Sequence, residues 1–152
     1  MSDLKSLIEH AAQFAAMVFR DKGSVAPMWI CEQANGERFV VGSPWSSDNE
    51  KDLAVEALRV LFQQQQVVRY VNMVEAWTVE RVGKVPPERP SLHPDRREII
   101  AFMAESAEGE SEMAVFYILR PEHGPATLSP LQWRGGMFAG RMANLLRPRT
   151  QH

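Results

Sequence analysis

The residues whose types could do chemistry are concentrated in one proline-rich segment, residues 86–98. His93, Arg96, Arg97 and Glu98 lie close together in it. Imidazole and carboxylate groups transfer protons, and guanidinium groups bind carboxylates or phosphates. Long connections inside a compact domain are more often functional than short turns. The segment therefore marks where a site is expected, without identifying a reaction.

Two interpretations of this segment remain open. In the first, His93 transfers a proton while Arg96 and Arg97 bind an anionic ligand. In the second, one arginine pairs with Glu98 or Glu75, and the prolines make the segment a stiff connection because they fix φ and remove backbone donors. Adjacent arginines also point to opposite sides of an extended chain. We favour the second interpretation, and a site here requires Glu75, His93 and one of the two arginines to meet in space.

Glu75 is a catalytic candidate because of its position in the predicted strand 67–82. It lies between Met73 and Trp77 on a side of the strand that is otherwise apolar. A carboxylate in such a place must be paired or hydrogen-bonded. It is therefore a catalytic acid or base, a residue at the edge of the sheet, or one half of a structural pair.

Two further residues are candidates for binding or reactivity. Trp45 lies in a loop before a predicted helix, where an aromatic side chain is either an interface anchor or a hydrophobic staple at the helix entry. Cys31 follows Trp29 and Ile30 in a predicted strand, where a cysteine is typically a small buried hydrophobe. We expect an interface role for Trp45 and no nucleophile at Cys31.

Metal and cofactor motifs do not occur in the chain. The four histidines are scattered, without H-x-x-x-H or C-x-x-C spacing. Neither a G-x-G-x-x-G segment nor a Walker A loop is present. The sequence therefore predicts no metal and no cofactor.

Length, composition and charge define the broad class. The 152 residues, 45% hydrophobic and 24% charged, fit one globular domain spanning 1–152. The net charge of −2 gives no general attraction to nucleic acid or membranes, and the four arginines after His123 form too sparse a patch to favour nucleic-acid binding. One cysteine, no apolar run near ~20 residues and no leader-like N-terminus predict a cytoplasmic protein without a membrane partner.

The apolar periodicities predict an α+β domain with a mainly antiparallel sheet of about five strands. Gly23 is a plausible left-handed cap for the first helix, and Asn35-Gly36 predicts a hairpin with a type I′ turn. The second helix is predicted to bury one apolar stripe: Leu53, Ala54, Ala57, Leu58, Leu61 and Phe62. The predicted order is α-β-β-α-β-β-β-α, with helices at 3–20, 47–66 and 136–146 and strands at 28–31, 38–41, 67–82, 99–104 and 113–119.

This element order resembles the profilin-like and Roadblock domains. The combination of Glu75-Ala76-Trp77 with the proline-rich segment and the following strand also resembles small bacterial and phage proteins of unknown function. That resemblance covers the middle third of the chain. It implies a prokaryotic cytoplasmic setting and transfers no activity or catalytic residue.

Two classes of function follow from these observations. The first is a non-catalytic interaction or regulatory module that forms a homodimer or binds a protein partner, because no catalytic constellation is complete in the sequence. The alternative is a small enzyme or a binding protein for a small anionic ligand, with its site at the 86–98 connection.

Overall fold

The computed structural model of the chain describes residues 3–42, 48–78 and 97–134. Within these ranges two helices pack on an antiparallel sheet of seven strands, which confirms the predicted α+β class. The strand order is β2-β1-β3-β4-β5-β6, and β7 also pairs with β5. The predicted helix at 136–146 lies outside the described residues. The elements are α1 (Asp3–Lys22), β1 (Met28–Gln33), β2 (Arg38–Gly42), α2 (Asp48–Gln64), β3 (Val67–Thr78), β4 (Arg97–Ser106), β5 (Ser111–Leu119), β6 (Thr127–Leu128) and β7 (Gln132–Arg134).

Helix α1 covers one face of the sheet. Its buried residues recur at helical spacing, so they form a single apolar side. The helix ends at Gly23, which has φ +76° and donates its N–H to the Phe19 carbonyl at 2.7 Å, as predicted for a glycine cap. The strand residues buried beneath α1 are Ile30, Val71, Met73, Ile100, Phe102, Ala104, Ala114 and Ile118.

Helix α2 packs on the opposite face with only part of the predicted stripe, which includes Leu58 and Phe62. Val55, Leu58 and Phe62 are buried with Trp29, Cys31, Val67 and Tyr70 of β1 and β3. The predicted core residues Leu53 and Ala57 instead face solvent. The prediction was wrong there because α2 is apolar on two sides, and helical spacing alone does not say which side meets the sheet.

The β1–β2 hairpin forms as predicted, but its turn differs. The Gly36 N–H donates to the Gln33 carbonyl at 2.9 Å, and the Gln33 N–H donates to the Glu37 carbonyl at 2.8 Å. Only Gly36, at φ +88°, has a positive φ in this loop, so a type I′ turn is excluded. The three-residue loop is a type I turn followed by a left-handed glycine, a geometry that also matches strand twist. The β4–β5 turn repeats this pattern, with Gly109 in the equivalent place.

An ionic network joins three neighbouring strands near the start of α1. Glu32 of β1 is opposite Arg38 of β2 and Arg69 of β3, and it pairs with both guanidinium groups. Arg69 also lies 3.5 Å from Asp3 in the first turn of α1. Because Glu32 is buried, each of its carboxylate oxygens needs the partner it has. The network fixes the register of β1 between its neighbours and the position where α1 begins.

The glutamine run 63–66 ends α2 and ties it to the hairpin. Gln66 has φ +53°, a left-handed conformation that is unusual for a residue with a side chain. Its carbonyl accepts a hydrogen bond from the Ala34 N–H at 2.9 Å. The Gln33 side-chain amide donates to the Gln65 carbonyl at 3.0 Å. These contacts set the point at which the chain leaves α2 and enters β3.

We expect Gln66→Gly to raise the free energy of unfolding by up to about 1 kcal/mol, because glycine adopts a positive φ without steric cost. Urea denaturation followed by circular dichroism measures the change. The matched control is Gln64→Gly, in the last turn of α2, which should lower the free energy of unfolding by about 1 kcal/mol. Equal destabilisation by both substitutions would contradict this account of the helix end.

Candidate functional site

A shallow cavity, widely open to solvent, lies at the end of the sheet where β3 ends, β4 begins and β5 ends. Its volume is about 650 Å³. Strand register brings its walls together, because Trp77 is opposite Glu98 and Thr78 is opposite Arg97. The lining residues combine an aromatic side chain, apolar side chains and three charged residues: Trp77, Arg97, Glu98, Ile118, Leu119, Arg120, Pro121 and Thr127.

An ion pair stands in the cavity wall. The Arg120 Nε donates to Glu98 Oε2 at 2.7 Å. The Arg120 side chain is 56% exposed, whereas that of Glu98 is 24% exposed. Because the pair is exposed to solvent, it adds little to the free energy of unfolding. Its main effect is on geometry, because the hydrogen bond to Glu98 sets the orientation of the Arg120 guanidinium.

Arg97 has its guanidinium on the other face of the sheet. Its Cζ lies 3.9 Å from the centroid of the Tyr117 ring. Arg134 lies over the same ring at 5.6 Å and donates a hydrogen bond to the Tyr117 hydroxyl. Tyr117 itself is buried in a small cluster with Ile99, Ala101 and Val115. This arrangement binds β4, β5 and β7 together through cation–π contacts.

Glu75 lies on the α1 face, away from the Arg97 guanidinium. It is opposite Ile100, whose side chain belongs to the core under α1. Its Oε1 accepts a hydrogen bond from the Val25 N–H at 3.1 Å. Val25 is 3% exposed, so the carboxylate satisfies a buried backbone donor in the connection from α1 to β1. Glu75 therefore has a structural partner, and the fold does not bring it together with Arg97.

The other sequence candidates fall outside the part of the chain that the structure describes. These are His93, Arg96 and Trp45. Their predicted roles in proton transfer, anion binding and an interface stay predictions. Since Arg97 and Glu75 lie on different faces, a shared site at the 86–98 connection would need Arg96 rather than Arg97.

The outer side of α2 is a second candidate surface. Leu53 is 74% exposed and Val60 is 52% exposed, and Ala57 between them is also exposed. Residues spaced by three or four lie on the same side of a helix, so the three form one apolar strip. We call Leu53, Ala57 and Val60 the outer strip of α2.

Sequence reasoning missed the role of three residues. Trp77 lies in an otherwise apolar strand, a place that is typical of a core residue, but it is 39% exposed and lines the cavity. Arg120 directly follows an apolar strand, which alone indicates nothing about a site. The β4–β5 register brings Arg120 close to Glu98, and this pairing across two strands cannot be seen in the local sequence. Val60 of the outer strip lay outside the predicted stripe of α2.

The described residues were also searched for a metal site and for a membrane-spanning helix. Within residues 3–42, 48–78 and 97–134, no group of three His, Cys, Asp or Glu side chains is placed to hold a metal ion. Neither described helix is both long and apolar enough to span a bilayer. Comparison with protein-family models, with curated proteins and with solved structures finds no match in any of the three.

Replacing Glu75 separates a structural role from a catalytic one. We expect Glu75→Ala to lower the free energy of unfolding by about 1–3 kcal/mol, because it leaves the buried Val25 N–H without an acceptor. Glu75→Gln keeps an oxygen at that place and should cost less than half as much. Thermal and urea denaturation measure both variants. A stable Glu75→Ala protein would contradict the structural role.

Burial controls the behaviour of Cys31. It raises the pKa of the thiol from its ordinary value of 9.0 to about 12. We therefore expect a thiol reagent at about pH 8 to leave the folded protein unlabelled and to label the denatured chain once.

The raised pKa of Cys31 also predicts that the free energy of unfolding falls as pH rises from 9.0 toward 12, because only the unfolded thiol loses its proton there. Cys31→Ala should remove that component, and rapid labelling of the folded protein would contradict the burial.

Proposed function

We propose that this protein is a non-catalytic interaction module that self-associates as a homodimer through the outer strip of α2. The observation that carries the proposal is a helix apolar on both sides. Val55, Leu58 and Phe62 are buried against the sheet, while Leu53 and Val60 remain exposed on the opposite side. A second apolar strip on the solvent side of a helix is the kind of exposed apolar surface that marks a protein–protein contact. We therefore place the partner on the outer strip.

A second copy of the chain fits the outer strip because the strip is complementary to itself. The small residue Ala57 lies between the larger Leu53 and Val60. In an antiparallel pair related by a two-fold axis beside Ala57, Leu53 of one protomer meets Val60 of its partner, and the reverse contact forms by symmetry. A small residue at the crossing point also allows the short interaxial distances of packed helices, about 8–10 Å.

The charges beside the strip are compatible with this pairing. Glu56 and Arg59 form an ion pair within the helix, with Arg59 Nη1 and Glu56 Oε1 2.9 Å apart. Their opposite charges avoid like-charge repulsion along that flank. The other flank carries the half-buried Ala54 and Leu61, which extend the apolar surface. The proposed interface therefore has an apolar centre and a polar border.

The setting we propose for this module is a prokaryotic cytoplasm. Its support is the resemblance described above and the single buried thiol at Cys31, which suits a reducing compartment. An enzyme with acid–base groups at Glu75 and His93 is less well supported, because the Glu75 carboxylate is engaged with the Val25 N–H.

Light scattering after size exclusion tests the dimer. At micromolar concentration we expect a particle of twice the chain mass of 17.2 kDa. The double substitution Leu53→Lys with Val60→Lys should give the mass of one chain, because it places like charges opposite each other across the two-fold axis. Both positions are exposed, so we expect the fold, measured by circular dichroism, to be unchanged.

Val40→Lys is the matched control. Val40 is 53% exposed, almost equal to Val60, but it lies on the edge strand β2 rather than on α2. The Val40→Lys substitution should leave the dimer intact. A monomeric wild-type protein would overturn self-association, and dissociation by Val40→Lys alone would move the interface from α2 to the sheet edge.

A further inference from the structure

We propose that the cavity between Trp77 and Arg120 binds a small anion that carries an aromatic or apolar body. This site goes beyond the proposed dimer, because it lies at the end of β3, β4 and β5 and shares no residue with the outer strip of α2. Its volume of about 650 Å³ accommodates a small molecule, which would stay partly exposed because the cavity is open to solvent.

Arg120 is the anion-binding group. Its Nε is engaged by Glu98 Oε2 at 2.7 Å, and among the described residues its Nη nitrogens have no partner. A guanidinium held along one edge keeps its remaining N–H groups in a fixed plane, which suits two-point binding of a carboxylate or phosphate. Glu98 is thus a positioning residue, since it orients Arg120 and does not need to touch the ligand.

Apolar side chains on one side of the cavity are placed to contact the apolar part of the ligand. Trp77 is opposite Glu98 in the β3–β4 pairing, so its ring lies on the same face as the Glu98 carboxylate. Leu119 is 42% exposed, and Ile118 and Pro121 complete the apolar lining. An indole ring exposed beside a cation accepts an aromatic or apolar body while the cation holds the acidic group.

The charged groups that face the cavity favour an anionic group on the ligand. Glu98 engages the Nε of Arg120, and the Arg97 guanidinium lies over Tyr117 on the other face of the sheet. The Nη nitrogens of Arg120 are therefore the positive groups that meet a ligand. A carboxylate or phosphate is attracted to them, whereas a cation is repelled, because the lining's one carboxylate, Glu98, is already paired. The two sources of such a ligand are an aromatic carboxylate and an aromatic phosphate ester, and both share this chemistry.

Benzoate and phenyl phosphate test the site when titrated into ¹⁵N-labelled protein followed by nuclear magnetic resonance. We expect saturable shifts of the Trp77 indole N–H and the Arg120 Nε–H signals below about 20 mM ligand. Arg120→Gln should weaken binding of both ligands at least about ten-fold. Trp77→Ala should weaken binding of benzoate but leave inorganic phosphate unchanged. The probe that binds more tightly identifies the acidic group.

Arg20→Gln is the matched control, because Arg20 is an exposed arginine of α1 that lies 3.8 Å from Asp21 and does not line the cavity. It should leave both affinities unchanged. Three results would each overturn the proposal: no saturable shift with either ligand, equal binding of neutral benzyl alcohol, or unchanged affinity in Arg120→Gln. Dimer-disrupting substitutions on α2 should not alter this binding, so the two proposals fail independently.

Discussion

The rest of the structure depends on the burial of β3 on both faces. Val71 and Met73 pack beneath α1, while Tyr70 packs beneath α2 against the Phe62 ring at 5.4 Å. A strand buried on both sides fixes the register of its neighbours, because a slip by one residue would exchange its two faces. β1 and β4 are its partners, and the remaining strands are added outward from them.

This constraint also places the two candidate surfaces. Because β3 and β5 end at the edge of the sheet where β4 begins, residues distant in sequence, such as Trp77 and Arg120, line one cavity. The packing of α2 on β1 and β3 turns Leu53 outward, since Val55 and Phe62 occupy the space over Trp29 and Tyr70. The cavity and the outer strip are therefore consequences of the same core, although each has its own chemistry and neither needs the other.

The sequence was most informative where local rules decide the structure. Asn35-Gly36 correctly predicted the β1–β2 hairpin, and Gly23 was correctly identified as a cap. The prediction for α2 was wrong because the helix has apolar residues on two sides, and their spacing does not say which side packs on the sheet. The cavity could not be predicted, because the proximity of Arg120 to Glu98 follows from strand register and leaves no local pattern. The predictions for His93, Arg96 and Trp45 remain untested.

The most direct test of the central claim is disulfide cross-linking at the proposed two-fold axis. Ala57→Cys places one exposed thiol on α2, and the buried Cys31 should remain unreactive. Our account predicts that mild oxidation converts the folded Ala57→Cys protein into a covalent dimer, because thiols beside a two-fold axis lie within disulfide reach of each other. The control Val40→Cys, also at an exposed position, should stay monomeric on a denaturing gel. A failure of Ala57→Cys to cross-link, or faster cross-linking of Val40→Cys, would contradict the account.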